Sequence, residues 1–455
     1  MTRVSAPRRI ELLHWNDVHG RYDGLARLAQ RARTIREQAD HPVLVLDGGD
    51  VEETGVRLSA LTFGVAGWRM LGAAGVDAAV AGNGGLLRYG PDLLPRYAAA
   101  VGFPPVVCDL ERDGATPEGA AASRLLTAGD LSVGVVGVTD YYAAYDDFGL
   151  RERGRTTAAV REARSLRRQG ADVVVVLSHA GLAHDQGLSW HLRGLVDVVV
   201  GGHSHHLLTE GDRSHGIPIA QAGCYAEHLG RVLLEVDDTG TRVVDMTVER
   251  VPDDTPQDPA VVAERDACER DLAAWLDEPV GDLPVPVPLA GEADDSPAAR
   301  LLLEALLARR PADLGVLMPM HLTRGLPQGR VTRGDVWEAT SSPGNLTTAT
   351  LSGAVVRRLL ERGAGDDFAE QRSRSGRGPR FGRLQTLGVE RRDGVLWVAG
   401  APLADDRDYR VTASDIELSS YGTLVEAEPA DLHVEVPRIL PELLEEHLRE
   451  AYPAG

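Results

Sequence analysis

Seven residues that can bind a metal ion follow short apolar segments of this 455-residue chain. They occur in NDVHG, DGGD, AGN, LSHAG and GGHSHH, and are Asp17, His19, Asp50, Asn83, His179, His203 and His205. One polar residue after an apolar segment usually caps a helix or forms a turn. Seven oxygen and nitrogen donors in equivalent positions suit two divalent cations that share a carboxylate, because carboxylate and imidazole both bind manganese, iron, zinc or cobalt. We therefore predict a two-metal centre and leave the identity of the metal open.

The segments that carry these residues have the pattern of a layered α/β domain. Buried strands are predicted for the apolar runs in IELLHW, HPVLVLDGGD, VDAAVAGN, LSVGVVGVTD, ADVVVVLSHAG, VDVVVGGHSHH and RVLLEVDD. Helices are predicted between several of them, as in GLARLAQRARTIREQA and TTAAVREARSLRRQG. Ligands of such sheets bind where strands end in loops, which is where the seven residues stand.

The chain is too long for one ordinary core, and its composition changes near residue 251. Residues 252–259 are acidic and proline-rich, which predicts the end of a first domain at residues 1–250. A linker is predicted over residues 251–293, with the helix PAVVAERDACERDLAAWLDEPVG followed by an extended connector. A second α/β domain is predicted for residues 294–455 and begins with the helix SPAARLLLEALLARR.

The formal net charge of -20 argues against a nucleic-acid or anionic-membrane surface, because such surfaces need clustered basic residues. A small phosphorylated ligand is compatible with this charge, since metal ions reverse the sign inside a cleft. Cys108, Cys224 and Cys268 form no CxxC pair, and the sequence has neither a signal-peptide pattern nor an apolar stretch of membrane-spanning length. We expect a cytoplasmic protein without nucleic-acid or membrane partners, and the oligomeric state is open.

The segments ELLHWNDVHGR, VLVLDGGD, AGN, VVLSHAGL and VVGGHSHH resemble, in this order, the motifs of the calcineurin-like metallophosphoesterases. The segment IAQAGCYAEHLGRVLLEVD is similar to the 5'-nucleotidase branch, which includes bifunctional UDP-sugar hydrolase/5'-nucleotidases. The C-terminal domain of that branch resembles RGLPQGRVTRGDV, LTTATLSGAVVRRLL, RLQTLGV and YRVTASD. The resemblance implies an N-terminal β-sandwich flanked by helices and a C-terminal α/β substrate domain.

The resemblance also implies roles for the seven residues. One ion would be bound by Asp17, His19, Asp50 and His205, and the other by Asp50, Asn83, His179 and His203, with Asp50 as the bridge. Asp50, Asn83 and His179 would form the catalytic centre, where a hydroxide between the ions attacks phosphorus and Asn83 orients the phosphoryl group. His14, His184 and His206 match no ligand position and would lie behind the ligands or on the surface.

The stretch VAGNGGLLRYG, residues 80–90, departs from the family pattern. In the family a histidine that serves the leaving oxygen follows the asparagine, and an acidic residue stands a few positions on. Here Gly84 and Gly85 follow Asn83, and loss of a general acid typically costs about a hundredfold to ten-thousandfold in rate. The substrate could have an acidic leaving group, His184, His206 or the substrate itself could supply the proton, or the protein could be inactive. A tight turn with positive φ is the purely structural explanation of the glycines.

The C-terminal domain also departs from the nucleotidase pattern. At the positions of the two aromatic rings that sandwich the base stand Arg383 and Thr423, with Tyr421 nearby. Arg324 matches the family arginine that reaches the substrate, whereas Met320 and His321 replace its Asn-Gly companions. We predict substrate contacts for Arg324, Arg383 and Tyr421, and a substrate other than a standard nucleoside monophosphate.

The sequence thus predicts a dinuclear-metal phosphohydrolase that acts on an atypical small-molecule phosphoester, either nucleotide-like or a specialised metabolite. One alternative is a catalytically inactive, metal-binding ligand sensor or scaffold, because a metal pair can be kept for stability or ligand binding alone. A further alternative is hydrolysis of a sulfur-linked ester, as in the thiosulfohydrolase relatives of the same branch.

Overall fold

The computed structural model describes residues 7–289, 296–340, 342–371, 381–419, 424–427 and 429–454. The chain divides into two compact units, Met1–Arg270 and Asp271–Gly455. The domain limits proposed above, at residues 250 and 294, remain predictions. Within the described ranges, no helix is both long enough and apolar enough to cross a membrane.

Two five-stranded sheets form the centre of the N-terminal unit. The strands of this unit are β1 (Arg8–Trp15), β2 (Val43–Asp47), β3 (Ala78–Ala79), β4 (Leu110–Arg112), β5 (Ser123–Ala128), β6 (Leu131–Thr139), β7 (Leu150–Glu152), β8 (Val173–His179), β9 (Val198–Gly201), β10 (Ile219–Ala220), β11 (His228–Asp237) and β12 (Gly240–Arg250). One sheet has the order β12-β11-β1-β2-β3, with β1, β2 and β3 parallel. The other has the order β10-β9-β8-β6-β5, in which β6, β8, β9 and β10 run parallel.

Apolar side chains of the two sheets pack into one buried cluster, to which Leu12 and Leu46 contribute from one sheet and Val135 and Val175 from the other. All seven residues of β8 are buried, as expected for a parallel strand covered on both faces. The unit is therefore the predicted β-sandwich.

Helices cover the sandwich and connect its strands. In chain order the first helices are α1 (Tyr22–Gln38), α2 (Arg57–Leu61), α3 (Val65–Ala73), α4 (Asn83–Tyr89), α5 (Leu94–Val101), α6 (Arg155–Arg168), α7 (Leu182–His191) and α8 (Pro259–Leu276). Ala163 of α6 and Leu188 of α7 pack against Val136 and Val174 on the second face of the parallel sheet. The predicted helices corresponding to α1, α6 and α8 are confirmed.

The C-terminal unit is a second α/β unit, as predicted. Its strands are β13 (Pro279–Leu283), β14 (Leu314–Leu317), β15 (Gly329–Thr332), β16 (Asn345–Ser352), β17 (Gln385–Leu387), β18 (Val389–Arg392), β19 (Val395–Val398), β20 (Ala401–Pro402), β21 (Asp408–Ser414) and β22 (His433–Ile439). Its helices are α9 (Pro297–Arg309), α10 (Arg333–Ala339), α11 (Gly353–Gly363), α12 (Asp366–Ala369), α13 (Asp415–Leu418) and α14 (Leu440–Ala451). The main sheet has the order β17-β14-β21-β16-β22.

Candidate metal centre

The ends of the parallel strands bring the seven predicted metal ligands together. Asp17 and His19 follow β1, Asp50 follows β2 and Asn83 starts α4 just after β3. From the other sheet, β8 ends at His179, and β9 precedes His203 and His205. The two sheets of the sandwich thus supply donors to one site, because their parallel strands end at the same edge.

Five of these residues have a left-handed backbone, which is uncommon for residues with a side chain. They have φ values between 47° and 71°, and are Asp17, His19, Asp50, His203 and His205. Each such conformation costs roughly 1–2 kcal/mol for an L-residue other than glycine. Backbone strain of this kind concentrates at functional sites, where the surrounding structure holds it in place.

A first cluster of donors surrounds one carboxylate oxygen of Asp17. The Oδ1 atom of Asp17 lies 3.6 Å from Nε2 of His19 and 3.3 Å from Nε2 of His205. These three side chains place one donor atom each in a group that could hold a metal ion.

A second cluster lies next to the first. Nε2 of His179 is 3.2 Å from Oδ2 of Asp50 and 4.0 Å from Oδ1 of Asp17. The Oδ1 atom of Asn83 is 3.2 Å from Nε2 of His179 and 2.9 Å from Nδ1 of His203. Here Asp17 belongs to both candidate metal groups and Asp50 to one, so the bridging role of Asp50 remains a prediction.

The donor set fits divalent cations. The side chain of Asp17 is completely buried, and its Oδ2 accepts hydrogen bonds from Asn16 Nδ2 and the His203 backbone at 2.6 and 2.8 Å. Its Oδ1, by contrast, is buried without a hydrogen-bond partner among the residues that the structure describes. A buried, unsatisfied carboxylate oxygen is costly unless it is paired or bound to a metal. Imidazole nitrogens beside it complete a donor set typical of zinc, manganese, iron or cobalt.

Negative charge dominates the electrostatics of the site. Burial alone would raise the pKa of Asp17, but the neighbouring imidazoles of His19 and His205 hold it well below its ordinary value. Burial would lower the pKa of His179, but Asp50 and Asp17 raise it to about 10. Asp17 and Cys224 likewise raise the pKa of His205 to about 10. Carboxylates that raise the pKa of neighbouring imidazoles this far also favour a metal cation in place of those protons.

The remaining ring nitrogens of three histidines face oxygen atoms outside the clusters. Nδ1 of His179 lies 2.7 Å from the carbonyl oxygen of Gly48. Nδ1 of His19 lies 3.6 Å from Oε2 of Glu53, and Nε2 of His203 lies 3.5 Å from Oδ2 of Asp140. Such oxygens orient a metal-binding imidazole and select its tautomer.

Glu53 and Asp140 were not predicted as site residues. The position of Asp140 at the end of β6 carried a usable signal, because the predicted ligands also follow parallel strands. The ring of Tyr225 was also missed, and it packs 5.7 Å from the rings of both His19 and His205.

Gly84 and Gly85 are helical residues of α4, and neither has positive φ. The tight-turn explanation of these glycines is therefore wrong. The backbone N–H of Gly84 donates a 2.8 Å hydrogen bond to Oδ1 of Asp50, and a Cβ atom at Gly84 would lie 3.2 Å from that oxygen. A Cβ atom at Gly85 would lie 2.9 Å from Oε1 of Glu52. The glycines therefore let the start of α4 approach two carboxylates closely.

The three histidines predicted not to be ligands belong to neither metal group in the described ranges. His14 is buried in β1, where burial lowers its pKa to about 4. His184 is exposed on α7, and Nδ1 of His206 lies 2.9 Å from the Ser204 hydroxyl.

The predicted substrate residues of the C-terminal unit form surface ion pairs. Arg324 pairs with Asp335 and Glu338, and Arg383 pairs with Asp366. Tyr421 and Thr423 lie outside the described residues. The substrate contacts of Arg324, Arg383 and Tyr421 therefore remain predictions.

At the replaced Asn-Gly positions the structure has buried side chains. His321 is 1% exposed, with Nε2 2.8 Å from Oε1 of Glu417 and Nδ1 2.7 Å from the Ser342 hydroxyl. Met320 is buried beside it in the apolar core of the unit. This departure from the family pattern builds a buried polar network.

An α/β sandwich with carboxylate and imidazole donors at its strand ends suits metal-dependent hydrolysis. Residues 10–207 match the calcineurin-like phosphoesterase family, and residues 279–424 match the 5'-nucleotidase C-terminal domain. The chain thus combines a calcineurin-like phosphoesterase domain with a 5'-nucleotidase C-terminal domain, and it is a metal-dependent phosphoric ester hydrolase.

Known proteins resemble the chain over different lengths. The chain is 25% identical over 393 residues to the metallophosphoesterase YunD of Bacillus subtilis (strain 168), covering 84% of each chain. It is 27% identical over 282 residues to the 5'-nucleotidase of Bos taurus, with 53% of this chain covering 49% of that relative. The fold resembles the crystal structure of a 5'-nucleotidase precursor from Thermus thermophilus, with a TM-score of 0.59, 20% identity, and 98% and 97% of the two chains covered.

Proposed function

We propose that this enzyme removes phosphate from an atypical small-molecule phosphoester without help from a histidine after Asn83. The observation that carries the proposal is the continuous set of contacts among the seven donors, with Oδ1 of Asp17, which lacks a hydrogen-bond partner among the described residues, at its centre. A protein under no demand for metal chemistry would be expected to lose ligands as readily as the general acid, yet all seven donors are present.

In this proposal Asp17, His19, Asp50 and His205 hold one divalent ion, and Asp50, Asn83, His179 and His203 hold the other. When bound, such ions supply Lewis-acid polarisation of the phosphoryl oxygens and activation of water. The Nδ2 atom of Asn83 has no partner within the described ranges, so it can donate to a phosphoryl oxygen. Glu53 and Asp140 keep the imidazoles of His19 and His203 turned toward the ions.

The leaving group determines which substrates suit this site. Gly84 offers no side chain that could protonate a departing alkoxide. We therefore expect efficient turnover of aryl or enol phosphates and phosphoanhydrides, whose leaving groups depart unprotonated, or of substrates that carry their own proton. Arg324, Arg383 and Tyr421 remain the proposed substrate-binding residues of the C-terminal unit.

The test combines metal analysis with hydrolysis assays on the full chain supplied with manganese. We expect two ions per chain, turnover of p-nitrophenyl phosphate that chelation abolishes, and much slower turnover of AMP and of an alkyl phosphate. Two bound ions without phosphate release from any of these esters would overturn the proposal in favour of a binding protein. Equal rates on the aryl and alkyl esters would contradict the missing-acid argument.

A further inference from the structure

A cavity of about 650 Å³ lies in the N-terminal unit directly beside the candidate metal centre. Its wall includes Gly20, which follows the candidate ligand His19, and Tyr225. The ring of Tyr225 packs 5.7 Å from the rings of both His19 and His205, so this cavity-lining side chain also contacts the first donor cluster. A molecule with its phosphoryl group at the metal centre could extend directly into the cavity.

Five arginines line the cavity, and four of them pair with carboxylates. Arg27 and Arg250 pair with Asp253, Arg57 pairs with Glu269 at 2.7 Å, and Arg265 pairs with Asp23. The fifth, Arg21, is exposed and has no carboxylate partner in the part of the chain that the structure describes.

Arg21 lies over Tyr225, the residue that lines the cavity and contacts the first donor cluster. Its guanidinium lies 5.4 Å from the centroid of the Tyr225 ring. Tyr225 and the next residue, Ala226, both have a left-handed backbone, with φ of 59° and 56°. The backbone N–H of Tyr225 donates a 2.7 Å hydrogen bond to the carbonyl oxygen of Asp17. The backbone of Tyr225, whose ring lies under Arg21, is thus hydrogen-bonded to the backbone of the candidate metal ligand Asp17.

We propose that the leaving portion of the substrate carries a second negatively charged group, and that Arg21 binds this group in the cavity. A guanidinium binds a carboxylate or a phosphate through two parallel N–H donors, so the shared chemistry is that of an oxyanion. This inference rests on the proposed function, because it places the phosphoryl group at the metal centre. It makes the substrate a small phosphoester with an additional acid group, in which Arg21 determines specificity.

The test compares two aryl phosphates of the same shape, one with a meta-carboxylate and one with a meta-carboxamide. The manganese-loaded wild type should have a kcat/KM about tenfold to a hundredfold higher for the carboxylate, as expected for a hydrogen-bonded ion pair. The advantage should appear mainly in KM. The preference for the carboxylate ester should disappear in Arg21→Gln. It should persist in Arg57→Gln, which removes a paired arginine of the same cavity.

Equal kcat/KM values for the two esters in the wild type would overturn the inference and leave the proposed function intact. An unchanged preference in Arg21→Gln would overturn it as well. A meta-phosphono ester distinguishes the two oxyanions, and a greater preference for it than for the carboxylate would assign the subsite to phosphate.

Calorimetry with the matching non-hydrolysable aryl phosphonates separates failure of the subsite from failure of the proposed function. If the carboxylate phosphonate binds about tenfold tighter or more, only when Arg21 is present, the subsite is supported even without turnover. If neither ester is hydrolysed and the phosphonates bind equally, both proposals fail.

Discussion

The Nε2 atoms of His19 and His205 lie 3.1 Å apart, and both face Oδ1 of Asp17. Two N–H groups cannot point at each other across this distance, so at least one of the nitrogens presents a lone pair. Two imidazoles and a buried carboxylate oxygen without a hydrogen-bond partner among the described residues thus converge in an arrangement that a cation would stabilise.

We expect His205→Ala to lower the metal content by about one ion per chain, because the first donor cluster loses one of its three members. Elemental analysis after dialysis measures the change. His206→Ala is the matched control, since the neighbouring imidazole contacts Ser204 and belongs to neither metal group in the described ranges. Equal metal content in the two variants would contradict the assignment of His205.

Gly84→His should accelerate hydrolysis of an alkyl phosphate by up to about a hundredfold and leave p-nitrophenyl phosphate turnover nearly unchanged, because only the alkoxide needs a proton. Since a Cβ atom at this position would lie 3.2 Å from Oδ1 of Asp50, any side chain here disturbs that carboxylate. Gly84→Ala places a Cβ atom at the same position without the imidazole. The ratio of the hydrolysis rates of Gly84→His and Gly84→Ala therefore isolates the contribution of proton donation. A ratio near one on both esters would contradict the leaving-group argument.

The buried carboxyl of Asp185 should make the N-terminal unit less stable as pH rises. Burial raises the pKa of Asp185 from 3.8 to about 7, although a hydrogen bond from Ser178 favours the charged form. The folded state therefore binds this proton more tightly than the unfolded state. The contribution to stability is complete below pH 3.8 and is lost as pH rises to about 7.

Asp185→Asn should remove the decrease in the free energy of unfolding that Asp185 causes as pH rises. This decrease is at most about 4 kcal/mol. Urea unfolding between about pH 5 and 8 measures it. Asp212→Asn serves as the control, because hydrogen bonds from Ser214 and Gln186 outweigh burial and hold the pKa of Asp212 below its ordinary value. An unchanged slope in Asp185→Asn would show that Asp185 is ionised in the folded state.

Arg333 should be a major contributor to the stability of the C-terminal unit. Its side chain is 8% exposed and pairs with Glu278 at 2.8 Å and Glu445 at 2.9 Å, and it also donates to the Trp275 carbonyl oxygen. Arg333→Ala should lower the free energy of unfolding by about 1.5–3 kcal/mol, because it removes the charged hydrogen bonds of a buried guanidinium and leaves Glu445 with Arg449 alone, at 3.0 Å.

Denaturant unfolding of the full chain measures this loss for Arg333→Ala. Arg333→Lys keeps the charge but not the forked donor geometry, and should lie between the wild type and the alanine variant. A loss below about 0.5 kcal/mol in Arg333→Ala, the usual range for a surface substitution, would contradict the buried role.

The fold of the N-terminal unit could be predicted because its signals are local. The continuous apolar run VVVVL that begins β8 is typical of a strand covered on both faces of a sheet, and this pattern is visible without any tertiary contact. The candidate ligands could be named for the same reason, since Asp17 and His203 stand just beyond such runs.

The surroundings of those ligands depend on contacts between residues far apart in the chain. Gly84 looked like a turn residue, but the approach of α4 to Asp50 makes it helical. Arg324 was predicted to contact substrate, whereas the structure pairs it with Asp335, and no sequence signal marked Arg21, which lies over Tyr225. Such pairings arise only when the chain is folded.

The sequence by itself determined the layered α/β character of the N-terminal unit, the presence of seven donors and the absence of a histidine at position 84. These follow from residue type and short-range periodicity, which each segment carries alone. The tertiary structure alone decided that Oδ1 of Asp17 lies among three imidazoles, that Glu53 and Asp140 face two of them, and that Arg21 borders the cavity beside Tyr225. The physical reason is that the ends of distant strands meet at one edge of the sandwich, and no local pattern specifies which side chains then come into contact.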